Sequence, residues 1–71
     1  MTVDEMLSIL AHALNVTIPD EREREDILSF TGIVAHSSER IAAPLAAYMA
    51  GRSGLGVEAA VHRVREALGA E

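Results

Sequence analysis

Apolar residues recur at helical spacing from the first few positions of the chain. Val3, Leu7, Leu10 and Leu14 fall at i, i+4, i+7 and i+11, and Met6, Ile9 and Ala13 widen the stripe on one side. Asp4, Ser8 and His12 lie opposite. Thr2 followed by Glu5 has the spacing of a capping box, in which each residue binds a backbone N–H of the other. Asn15 is a plausible left-handed stop, and Val16-Thr17-Ile18-Pro19 predicts an extended connector, because residues before proline avoid the α region.

Asp20 with Glu23 predicts a second capped start. The charged turn Glu21–Asp26 offers Glu21–Arg24 and Arg22–Asp26 pairs and is expected to be solvated. Ile27, Leu28, Phe30, Thr31, Ile33, Val34 and Ala35 then cover more than half the helix circumference, leaving Ser29, Gly32 and His36 as a narrow polar strip. A helix apolar on most of its surface belongs at the centre of a fold.

After a break at residues 37–43, Pro44 fits a first helical turn, where its missing N–H costs nothing. Residues 41–51, IAAPLAAYMAG, carry no charge, so burial is expected there. Ile41, Leu45 and Tyr48 form a ridge of large residues; Ala42/Ala46/Ala50 and Ala43/Ala47/Gly51 form two small-residue ridges, suited to close packing on two sides. Gly54-Leu55-Gly56 is a link. Val57, Val61, Val64 and Leu68 repeat the first helix's spacing, Glu58, His62 and Glu66 form an outer ladder, and Gly69 stops the helix. No strand-like alternation competes. The expectation is one all-α domain over residues 1–71 with four helices at about 3–14, 20–37, 41–51 and 56–68, the outer two clasping a central pair.

Composition narrows the partners. Eleven acidic against six basic residues give a net charge of −5, and the six arginines are scattered, which argues against a nucleic-acid partner. Two aromatics, Phe30 and Tyr48, are too few for base stacking. Without cysteine there is neither a disulfide nor a thiolate metal site. The opening MTVDEML has no basic stretch and long apolar run of a leader, and residues 41–51 are about half of the ~20 residues that span a bilayer, so a cytoplasmic location is expected.

His36 and Arg40 are the most suggestive polar pair. Four apart, they share a face if the second helix extends that far, and the third helix would begin beside them with the N–H groups of Ala42 and Ala43 free. With Ser37 and Ser38 as hydroxyl donors, this junction is a candidate site for a phosphate or carboxylate. The alternative is purely structural: His36 and Arg40 cap the second helix while a serine caps the third. His12 and His62 lack metal-binding spacing, Asp20, Glu23 and Asp26 do not form a calcium loop, and no nucleophile-elbow, phosphate-loop or dinucleotide motif occurs. No enzymatic activity, cofactor or metal is therefore expected. An acyl carrier protein would need Asp-Ser-Leu at its second helix, whereas Asp26-Ile27-Leu28-Ser29 inverts that order.

The stretch Val34-Ala35-His36, then Arg40, Ala42-Ala43-Pro44-Leu45 and Gly51, resembles a small bacterial all-helical family of uncharacterised function. Its members occur alone, or beside or fused to the guanylyltransferase that makes molybdopterin dinucleotide cofactors. The resemblance is strongest over residues 27–56, and departs where Ile41 replaces a usual proline and Ala46 a usual threonine. It supplies no catalytic residue. It implies an accessory module, linked by neighbourhood to molybdenum-cofactor maturation. The partner expected is another protein or a second copy of the chain, held on Ile41, Leu45, Tyr48 and Met49. The runner-up function is an anionic-ligand module using His36, Ser37, Ser38 and Arg40.

Overall fold

The computed structural model describes residues 1–69, which form α1 (Val3–Leu14), α2 (Glu21–Ser37), α3 (Ala42–Ser53) and α4 (Val57–Leu68), with no strand among them. The all-α, four-helix expectation holds, with boundaries close to those the periodicity predicts. The exception is α3, which continues past residue 51 through Arg52 and Ser53 until Gly54, at φ 76°, turns the chain left-handed. Asn15 ends α1 the same way at φ 55°.

Both predicted capping boxes form. Glu5 N donates to Thr2 Oγ1 and Thr2 N to Glu5 Oε1, at 3.1 and 2.8 Å. Asp20 and Glu23 repeat the exchange at 2.8 and 2.9 Å. The Thr2 backbone N–H, and then its hydroxyl, hold the Glu5 carboxyl below the ordinary glutamate pKa. A depressed folded-state pKa gives stability that is complete above the unfolded value and is lost as pH falls through the folded one. Amide NMR of the α1 N-terminus is therefore expected to show fraying only below the usual glutamate range. Glu5→Gln, which keeps a capping acceptor, should flatten that dependence.

The core is small. Among the described residues, Phe30, Ala60 and Val61 are the buried apolar ones, with Ile33, Val34, Ala46, Ala50 and Val64 packed around them. As its apolar arc predicts, α2 is central: it packs on both α3 and α4. Thr31 is accommodated on it by returning its hydroxyl to the Ile27 carbonyl, 3.0 Å away.

Three expectations are corrected. First, α1 does not clasp the core. It buries no residue, packs extensively on no other helix, and has only Leu7 and Ala11 half-covered. Arg24, expected to pair with Glu21, instead ties α1 to α2: its Nη1 meets Asp4 Oδ1 at 2.9 Å and its Nε donates to the Pro19 carbonyl at 3.1 Å. That tie is exposed, so it contributes at most about 1 kcal/mol. The expected Arg22–Asp26 pair is present at 3.8 Å.

Second, the uncharged segment at 41–51 contributes no fully buried residue. Third, its two small-residue ridges do not face two sides. Ala42, Ala43, Ala46, Ala47 and Ala50 are all half-buried and form one continuous inward face. On a helix stepping 100° per residue they span about 140°, so Leu45 and Tyr48 must point away, and Met49 stands at the edge of the face, 69% exposed. Close approach to α2 selects alanine for the inside, and the large residues are left outside.

Candidate functional site

Two surfaces on this scaffold carry side chains that the fold itself does not use. The first is the outer face of α3. Ile41, Leu45, Tyr48 and Met49 are 69%, 63%, 65% and 69% exposed. Arg52 lies over the Tyr48 ring, 5.6 Å from its centroid, which places a cation at one end of this ridge. α1 adds Val3, Met6, Ile9, Leu10 and Leu14, all exposed.

The accessible surface measures the consequence. A folded monomer of 7.6 kDa is expected to expose about 4,300 Å², whereas this chain exposes 5655 Å². Its radius of gyration of 12.7 Å likewise exceeds the roughly 11 Å of a compact chain of this length. The excess of about 1,350 Å² is an interface-sized area.

The second surface is an open concavity of about 400 Å³ between α2 and α4, lined by Leu28, Ser29, Gly32, Ile33, His36, Ser37 and Arg65. The polar strip Ser29–Gly32–His36 forms one wall. Arg65 forms the other, donating from Nη2 to Ser29 Oγ at 3.3 Å. Arg65 is half-buried, its Nε is enclosed without a hydrogen-bond partner, and among the described residues no carboxylate pairs with it. The sequence holds a signal for it that periodicity alone passes over: Arg65 follows Val61 by four, at the edge of the apolar stripe of α4.

The structure divides the predicted site residues. His36 and Ser37 line the concavity; Ser38 and Arg40 do not, although all four are exposed. α2 ends at Ser37, so Arg40 does not continue the helical face of His36, and no hydrogen bond joins the two among the described residues. The start of α3 is not a free anion cradle either. Ala42 N donates to the Glu39 carbonyl at 2.9 Å and Ala43 N to that of Arg40 at 3.1 Å, while Pro44 has no N–H. No serine caps α3, whose N-cap is Ile41 without a side-chain bond.

A separate cleft of about 190 Å³, bounded by Phe30, Ala47, Leu55 and Ala60, is lined only by apolar side chains, and none of them can orient a polar ligand. No group of three or more His, Asp or Glu side chains able to hold a metal ion comes together among the described residues. None of their helices is long and apolar enough to cross a membrane.

A family model described as "Domain of unknown function (DUF6457)" matches residues 1–71. The chain belongs to the DUF6457 family. No curated protein and no solved structure matches it. Because the match spans all four helices, both the α3 ridge and the Arg65 concavity lie within the DUF6457 domain.

Proposed function

We propose that this DUF6457 domain is a non-catalytic protein-interaction module whose contact surface is the outer face of α3. The observation that carries the proposal is the inversion of α3, with alanines against α2 and Ile41, Leu45, Tyr48 and Met49 turned to solvent. Water-exposed apolar ridges of this size mark contact surfaces in small soluble domains. The finer part of the proposal is an accessory role beside a molybdenum-cofactor guanylyltransferase in a bacterial cytoplasm. It rests on the resemblance carried by residues 34–45 and Gly51.

The wild-type chain and a Met49→Glu variant, used as baits in parallel, test the proposal. A binding protein retained by the first and lost by the second supports the role, and recovery of the same proteins by both overturns it.

One observation favours a second reading, an anionic-ligand module centred on Arg65 in place of Arg40: a half-buried guanidinium without a carboxylate, beside His36 and Ser37. Inorganic phosphate is the probe. At a hundred times its dissociation constant a ligand adds about 2.7 kcal/mol, or roughly ten degrees or more of melting temperature in a domain this small. Arg65→Gln should abolish the shift and Arg40→Ala should leave it intact. An unaltered response in Arg65→Gln removes this reading.

A further inference from the structure

We infer that the partner on the α3 ridge is a second copy of this chain, whose α1 lies along the ridge while its own α3 receives α1 of the first. The inference rests on the interaction reading and names its occupant.

Three features of the chain point to this pairing. The first is area. Each chain exposes about 1,350 Å² beyond the expectation for a folded monomer, within the range an obligate homodimer buries per protomer. A small transient contact would leave much of that surface wet. The second is fit. α1 and α3 each have 12 residues, about 18 Å, and each presents a row of large apolar side chains between 43% and 69% exposed. The α1 row includes Met6, Leu10 and Leu14, and the α3 row is Leu45, Tyr48 and Met49.

The third feature is charge. A chain of net charge −5 resists its own copy unless the contact is neutral or opposite in sign. α1 carries Glu5 and Asp4, the latter already paired with Arg24 of its own chain, and no arginine, while α3 carries Arg52 and contains no acid, the Glu39 and Arg40 before it cancelling each other. Setting α1 on α3 thus joins an acidic helix to a basic one, whereas α1 on α1 would not. The acid-rich start of α2 and the Glu58–Glu66 face of α4 stay outside the contact. A two-fold axis makes the exchange reciprocal, closes the assembly at two chains and covers both rows at once.

The pairing has a complementation signature. In a reciprocal dimer, Leu10→Glu spoils both seams of its homodimer, and so does Leu45→Glu. Mixing the two variants gives a heterodimer in which one seam carries both substitutions and the other carries neither. Sedimentation velocity of the full-length wild type is expected to show a species of twice 7.6 kDa. Each variant should dissociate at concentrations roughly a hundredfold higher, and an equimolar mixture should regain dimer. Far-UV circular dichroism checks that helicity is kept; both residues are exposed, and Met6→Glu and Met49→Glu provide a second pair of seam variants.

A dimer that survives Leu10→Glu, or a mixture that stays monomeric, overturns the arrangement. A wild type that stays monomeric yet loses a different bound protein on Leu45→Glu overturns self-pairing and leaves the interaction reading standing. A monomer with no such protein removes both.

Discussion

Phe30→Ala is expected to unfold a large share of the population at 25 °C. Phe30 is 9% exposed and is the only large side chain in the buried cluster, with Ala60 and Val61 as the other members. Removing it forfeits the transfer energy of the ring and leaves a void among Ile33, Val34, Ala46, Ala50 and Val64, which together cost about 3–5 kcal/mol. At the usual 0.05–0.15 kcal/mol per residue, the whole chain is stable by only about 4–11 kcal/mol. With three buried apolar residues and a helix that adds none, it belongs near the bottom of that range. Phe30→Leu preserves most of the volume and should cost under about 1.5 kcal/mol. Urea titration followed by circular dichroism at 222 nm distinguishes the two. Near-equal midpoints for Phe30→Ala and wild type would mean that the core lies elsewhere.

The second large effect is on the inward face of α3. Ala46→Leu should destabilise the chain by about 1–3 kcal/mol, because Ala46 packs against the core and lines neither the concavity nor the cleft described above. The added side chain must push α3 off α2. The reverse change on the outer face, Leu45→Ala, should cost the isolated chain only a few tenths of a kcal/mol, since Leu45 is already in water. A hydrophobicity scale alone would rank these substitutions the other way round. Thermal melts at a concentration low enough to keep the chain monomeric provide the comparison. Equal destabilisation by both variants would contradict the inverted packing of α3.

Local signals were legible in the sequence because they act over one helical turn. Thr2/Glu5 and Asp20/Glu23 close their capping boxes, Asn15 and Gly69 take the left-handed stop, and Pro44 sits in the first turn of α3. Phe30 on the most broadly apolar helix marks the centre. The role of residues 41–51 was not legible, for a physical reason. Absence of charge identifies a surface that avoids water, but not which side a neighbour covers. With small and large ridges on one helix, the depth of the approach decides, and α2 comes close enough to select alanine. The paired stripes of α1 and α4 share one spacing, yet α4 gives Ala60 and Val61 to the core and α1 gives nothing. Periodicity specifies a face, not its occupant.

The polar junction shows the same limit. Spacing placed His36 and Arg40 four apart, but the helix ends between them, and the turn uses the N–H groups of Ala42 and Ala43. Arg65, 29 residues from His36 in sequence, reaches the concavity only through the packing of α4 on α2.

Cover of the outward α1 and α3 residues by protein in the working state can be measured in the chain itself. Oxidative footprinting reads this directly, because methionine is among the most readily oxidised side chains and three report different places: Met1 at the terminus, Met6 on α1 and Met49 on α3. Raising the chain concentration is expected to slow oxidation of Met6 and Met49 several-fold together, while Met1, 81% exposed, keeps its rate. If all three keep constant relative rates across that range, with and without a captured partner, the face is simply solvated surface and the claim is wrong.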